Sequence, residues 1–287
     1  MKGDKILKLG ISLRPPHSGI IKEYLKEMTP HGELSNVSHF EVNYPSSQMG
    51  YSWRNEYVTE VGNLIRSSGV TSSVHYPSFN PSEPHLLIRN IIIQEFRETV
   101  AYASQIGAKH IVVHPGYLDY YETPKILTEP FIHRMEGDLA KATERAVPIL
   151  QEFARIAEQE NQVVLLENMP LPRAISKNCQ EMKHIQSAVN RPNVKFVLDT
   201  GHLHLTDGDL YETILCLGND LLQIHVHDND AVYDQHRIPG MGSVDWVGFA
   251  QGLKEICFDG VLVMELADLS YKSMLKATQF LETLDSE

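Results

Sequence analysis

Cysteine is scarce in this chain: Cys179, Cys216 and Cys257 are widely spaced and odd in number. That argues against a disulfide framework and a thiolate zinc site, and a reducing cytoplasm fits such usage best. No apolar run approaches the roughly 18–20 residues of a membrane span, so no membrane association is expected. The N-terminus, MKGDKILKLG, lacks the apolar stretch and small-residue cleavage site of a secretory leader. Positive charge is in deficit, with 25 Lys and Arg against 37 Asp and Glu, a formal net charge of −12. This opposes long-range attraction of polyanions, although a local basic or metal-rich cleft can reverse it. Nucleic acid is therefore a disfavoured partner rather than a forbidden one. No Gly/Ser/Pro linker or charge block divides the 287 residues, and one domain over 1–287 is expected. A glycine-rich phosphate loop is also missing. The first strand leads into Arg14-Pro15-Pro16-His17-Ser18-Gly19, which speaks against an open dinucleotide-binding sheet.

What is present is an alternation of short apolar runs with longer amphipathic stretches. The runs Leu7–Leu13, Val37–Asn43, Val70–His75, His110–His114, Val163–Glu167, Val194–Asp199, Leu221–Val226 and Val261–Glu265 read as strands. Helices are predicted at Arg54–Ser67, Leu86–Ile106, Leu139–Glu160, Cys179–Val189, Asp209–Leu217 and from Tyr271 onward. Nearly continuous hydrophobic strands suit a parallel sheet covered on both faces. About eight strand–helix units at this length favour an α/β fold closed as a single (β/α)8 TIM barrel.

The informative pattern is positional. Six of the eight runs end in residues able to bind a metal: His75, His114, Glu167, Asp199, the His225/His227 pair and Glu265. In such a barrel the C-terminal strand ends form the active-site face, so these residues would converge on one mouth. Each alone has a plainer explanation: a strand-end histidine is usually hydrogen-bonded structure, and a carboxylate there often caps the next helix. Asp199-Thr200-Gly201-His202 suits a turn. Their recurrence is harder to explain so, because clustered carboxylates repel one another unless a cation neutralises them. The loop after the seventh strand adds Asp234-Gln235-His236, two donors within reach of one ion. Ile238-Pro239-Gly240-Met241-Gly242 follows, with glycines that would let backbone approach a ligand. Oxygen and nitrogen donors without thiolates suit zinc, manganese, cobalt, iron or magnesium, and the many histidines tilt the choice away from magnesium.

In this order, His114-Pro115-Gly116, Glu167-Asn168, Asp199-Thr200-Gly201-His202, His225-Val226-His227-Asp228, Asp234-Gln235-His236, Gly240-Met241-Gly242 and Glu265 resemble the xylose isomerase-like barrel superfamily. It includes sugar and sugar-phosphate isomerases and epimerases, inositol-catabolism proteins and endonuclease IV. The resemblance covers nearly the whole chain and implies a divalent cofactor, zinc or manganese foremost, as one to three ions. The isomerase/epimerase branch holds one ion with Glu, Asp, His and Glu, roles that fall on Glu167, Asp199, His225 and Glu265. The trinuclear cluster of endonuclease IV uses further ligands, which fall on His75, His114, His202, Asp234 and His236. The loops depart from that nuclease: Met169-Pro170-Leu171-Pro172-Arg173 stands where it has a Gly-Gln-Gly-type segment, Pro45–Tyr51 replaces its basic loop, and His75–Asn80 lacks its DNA-wedging form.

The leading expectation is thus isomerisation or epimerisation of a small sugar or sugar phosphate, by proton transfer through a metal-stabilised enediolate. Glu167, Glu265 and His202 are the implied catalytic residues. His227 would bond hydroxyls, and Arg14, Arg173 or Arg237 would meet a phosphate. The alternative is a multinuclear phosphoester hydrolase, in its sharpest form an abasic-site endonuclease. A silent sugar-binding barrel is disfavoured by the intact Glu167 and Glu265. Barrels of this superfamily often pair, which makes a homodimer an expectation. The long connection Tyr117–Gly137, with Tyr120, Tyr121 and Phe131, reads as a lid or binding loop.

Overall fold

Short Val-, Ile- and Leu-rich runs cannot bury both faces alone. Here they pair in parallel in sequence order, and the last closes on the first to make an eight-stranded barrel. The computed structural model describes residues 7–14, 18–46, 50, 52–118 and 129–285. The strands are β1 (Lys8–Leu13), β2 (Val37–Asn43), β3 (Thr71–His75), β4 (His110–Val113), β5 (Val163–Glu167), β6 (Val194–Asp199), β7 (Leu221–Val226) and β8 (Val261–Met264). Around them lie α1 (Ser18–Glu27), α2 (Arg54–Ser68), α3 (Leu86–Ile106), α4 (Glu129–Glu158) and α5 (Cys179–Val189). The circuit ends with α6 (Thr200–His204), α7 (Leu210–Leu217), α8 (Trp246–Glu255) and α9 (Tyr271–Asp285).

Every strand expected from the sequence is present, within one residue at either end. Three helices were not foreseen: α1, α8 and the five-residue α6, whose segment reads as a turn. Side-chain caps start the later helices, with Asn178 accepting from the Glu181 amide, Asp209 from Glu212 and Asp245 from Gly248. The supposed lid is shortened because α4 already begins at Glu129. Tyr120 and Tyr121 lie outside the described residues, as does the Phe131 side chain. Among the described residues no helix is long and apolar enough to cross a membrane.

One cysteine expectation is corrected. Cys179, at the start of α5, and Cys216, in α7, form a disulfide, with Cα atoms 6.4 Å apart. They stand 37 residues apart in sequence, but α5 and α7 pack side by side. Spacing along the chain does not show that neighbourhood, and the pairing removes the thiol argument for a reducing compartment.

The apolar core lies mostly between sheet and helices, where Phe96 of α3 stacks on Phe153 of α4 at 3.9 Å and Tyr76 meets both edge-on. Inside the barrel, Val112, Leu165 and Val197 form an apolar cluster, with Val163 and Leu222 beside them. The opposite side of the interior is polar. Glu41 of β2 bonds Gln223 and His225 of β7, and those strands are not neighbours, so these contacts cross the barrel interior. Ser73 and His39 extend the polar run.

Candidate metal centre

Alternation along each strand carries the inward face up to the barrel mouth. Ser73 is followed two residues on by His75, Val112 by His114, Leu165 by Glu167, Val197 by Asp199, Gln223 by His225 and Val263 by Glu265. All the residues expected from the sequence to hold an ion meet there, in three adjoining groups. His75, His114 and Glu167 form the first; Glu167, Asp199, His225 and Glu265 the second; His202, His227, Asp234 and His236 the third. Within each group one donor atom per residue lies within 4.8 Å of all the others. Glu167 belongs to two groups.

Local structure fixes these side chains. Asp199 caps α6, its Oδ1 accepting from the His202 amide at 2.7 Å, so the carboxylate itself positions that histidine. Asn168 clamps the Asp199 backbone from the side, accepting from its N–H at 2.7 Å and donating to its carbonyl at 3.0 Å. Asp228 folds the β7–α8 loop by accepting from the amides of Asn229, Gly240 and Val244 and from the Trp246 indole. That loop delivers Asp234 and His236. Gly242 is needed for this turn to fold tightly: a Cβ on it would lie 2.8 Å from the Asn229 carbonyl carbon.

Do these residues fit a cation? The second nitrogen of each ring answers. Nδ1 of His75 donates to the Tyr76 carbonyl at 2.9 Å, that of His202 to the Asn168 carbonyl at 2.9 Å, and that of His236 to the Glu265 carbonyl at 2.7 Å. A carbonyl only accepts, so each neutral ring turns its Nε2 lone pair outward. That lone pair faces Glu167 at 3.1 Å for His75 and Asp234 at 3.2 Å for His202 and His236. His225 is reversed: Nε2 bonds Glu41 and Nδ1 faces Glu167 at 3.1 Å and Glu265 at 3.2 Å. Lone pairs pressed on carboxylate oxygens repel unless a proton or a cation lies between. The donor set therefore fits divalent ions, with the orienting hydrogen bonds that metal-ligating histidines carry.

In the metal-free chain, protons do this work. Burial alone would depress His75, but Glu167, with Glu41 and Glu265 behind it, holds it up at about 9. Burial acts the same way on His202, and Asp199, Asp234 and Glu167 outweigh it to hold the ring at about 10. For Glu167 and Glu265 burial pushes upward, yet the neighbouring histidines, His225 foremost, keep both well below the usual carboxylate range. The raised imidazoles bind protons in the folded state that the unfolded chain releases near 6.5. Their stabilisation is fully present below that pH and is lost as pH rises through about 9 and 10. The metal-free chain is thus expected to lose Tm between pH 6.5 and 10 while the zinc-loaded chain does not. Calorimetry of both forms checks this, and a flat metal-free profile is the contrary result.

The residues expected to contact substrate have partners within the chain. His227 is wholly buried, with Nε2 2.8 Å from Asp199 Oδ1, so it holds that carboxylate as well as belonging to the third group. Arg237 pairs with Asp230 at 3.2 Å, and Arg173 lies over the Tyr117 ring. Arg14 bonds Glu265 at 3.0 Å at the edge of the centre.

Residues 35–284 match the family described as xylose isomerase-like TIM barrel. The chain belongs to that family. Inosose isomerase of Bacillus subtilis is 27% identical to it over 62% of this chain and 60% of its own. The fold is shared with D-psicose 3-epimerase from Clostridium cellulolyticum H10, in a structure with D-tagatose, at TM-score 0.75 and 19% identity over 98% of this chain and 99% of that one. It is also shared with the IolI protein carrying a zinc atom, at TM-score 0.72 and 20% identity over 97% of both chains. The relatives and structural neighbours thus include sugar isomerases and epimerases.

Glu41 was not singled out in the sequence, because it stands two residues before the end of β2 and not at it. Its signal was His39, Glu41 and Asn43 at alternate positions, polar residues on one inward face of the strand.

Proposed function

We propose that the chain is a divalent-metal-dependent isomerase or epimerase of a small sugar or sugar phosphate, with zinc or manganese as its ion. The observation that carries this reading is the pairing of Glu167 and Glu265. These buried carboxylates from β5 and from the end of β8 approach His225 Nδ1 from two sides, at 3.1 and 3.2 Å. Glu167, Asp199, His225 and Glu265 would hold the ion. When bound, it supplies positive charge to a carbonyl and an adjacent hydroxyl of the substrate, acidifying the C–H between them. Glu167 and Glu265 are both ionised at neutral pH, so either is suited to take the proton and, protonated by that step, to return it to the neighbouring carbon. Return on the opposite face requires the other carboxylate first to gain a proton from solvent. His202 is held by Asp199 and Asn168 where it can bond a substrate hydroxyl. The inosose isomerase and psicose epimerase relatives support the substrate class.

A second reading has its own observation. The groups around His75/His114 and His202/Asp234/His236 exceed what one ion needs. Three adjoining groups suit a phosphoester hydrolase that neutralises both the attacking and the leaving oxygens. Metal analysis, with solvent-deuterium exchange over ketoses, inososes and sugar phosphates, separates the two. Deuterium at carbon is expected, with at least the Glu167/Asp199/His225/Glu265 group filled. Three ions with cleavage of a phosphodiester and no exchange would reverse the ranking.

A further inference from the structure

We propose that Glu41 is a positioning residue for the metal centre: it selects Nδ1 of His225 as the ligating atom and strengthens that nitrogen as a donor. The inference rests on the metal-binding reading above.

Glu41 is fully buried and belongs to none of the three ligand groups. It lies beneath the second of them. His225 Nε2 is 3.1 Å from Glu41 Oε1, 3.2 Å from Oε2 and 3.1 Å from the Gln223 amide nitrogen. The two carboxylate oxygens can only accept and outweigh the neutral amide, which holds the proton on Nε2. That leaves Nδ1 as the lone pair, aimed at Glu167 and Glu265. Two further donors hold the carboxylate still: the Gln223 amide and the Ser73 hydroxyl, the latter at 3.1 Å. His39 Nε2 lies 3.0 Å from Ser73 Oγ and supports that hydroxyl from below.

A carboxylate with no solvent contact, placed under a group that already holds three others, is an expensive way to fill a barrel. A leucine would fill it more cheaply. What the carboxylate adds is directional. It fixes the tautomer and orientation of the imidazole and pushes electron density toward Nδ1, as carboxylates behind metal-bound histidines do.

The test compares wild type with Glu41→Gln by zinc titration against a chromophoric chelator, with circular dichroism of both. Glutamine keeps the shape and one accepting oxygen but removes the charge, so a purely space-filling role would leave zinc affinity unchanged. The expected result is a folded variant in which one ion binds about 10–100-fold more weakly. The expectation includes unchanged binding at the His202/Asp234/His236 group, which Glu41 does not touch. A folded variant with wild-type affinity throughout overturns the proposal and leaves the metal reading standing. A wild type that takes up no zinc defeats the metal reading itself. If the variant does not fold, cadmium-113 couplings in the loaded wild type decide. Coupling through His225 Nδ1 with a proton retained on Nε2 supports the proposal, and coupling through Nε2 overturns it.

Discussion

Glu167→Ala is expected to strip ions from two of the three groups and to lower carbon–hydrogen exchange by about 10²–10⁴-fold through the lost proton transfer alone. The reason is its double membership. Oε2 lies 3.1 Å from Nε2 of both His75 and His114, and Oε1 lies 3.1 Å from His225 Nδ1. No other residue is common to two groups. Removing the carboxylate leaves the first group two imidazoles and takes one of four donors from the second. The third group keeps all its members, so residual metal should sit there. Plasma emission analysis and deuterium exchange on the same preparation read both effects. Full metal content with normal exchange would show that Glu167 is structural only.

Gly201→Ala should be nearly as damaging without altering a single ligand. A Cβ at this position of α6 would lie 2.8 Å from His227 Nε2 and closer still to the ring's Cε1 and Nδ1. The ring cannot retreat. Its Nε2 holds Asp199, its face stacks on His236 at 3.9 Å, and it has no exposed surface. Forcing one methyl group into so filled a space typically destabilises by about 1–3 kcal/mol. Here the displaced ring also releases Asp199, a ligand candidate of the second group, and disturbs His236 in the third. A drop in Tm accompanied by weaker zinc binding is expected. A stable variant with unchanged zinc affinity would mean that the His227 ring is not the support of Asp199 described above.

Most of this centre was legible because a parallel barrel brings its strand ends together wherever they occur in sequence. Once the runs ending in His75, Glu167, Asp199 and His225 were recognised, their convergence followed from the fold. Three things were hidden for physical reasons. Glu41 works one layer below the mouth, so inspecting strand ends alone passes over it. Arg173 and Arg237 have partners, the Tyr117 ring and Asp230, set by loop geometry that residue spacing does not encode. His227 shares a strand face with His225 by alternation, yet the chain leaves β7 at Val226 and the His227 ring is taken up by Asp199. Residue type predicted which side chains meet at the mouth, and not the hydrogen-bond partners that hold them.

The polar half of the barrel interior has a consequence for anyone wishing to make this protein hardier. Usual stabilising substitutions would fill the positions of His39, Ser73 and Gln223 with branched apolar side chains, as other barrels do. Each such change removes Glu41 from some of its supporting donors, or Ser73 from its own, while leaving a charge enclosed in hydrocarbon. Thermal robustness and ion retention are therefore opposed along this one column of side chains, and selection for the first by heat challenge alone would tend to erode the second.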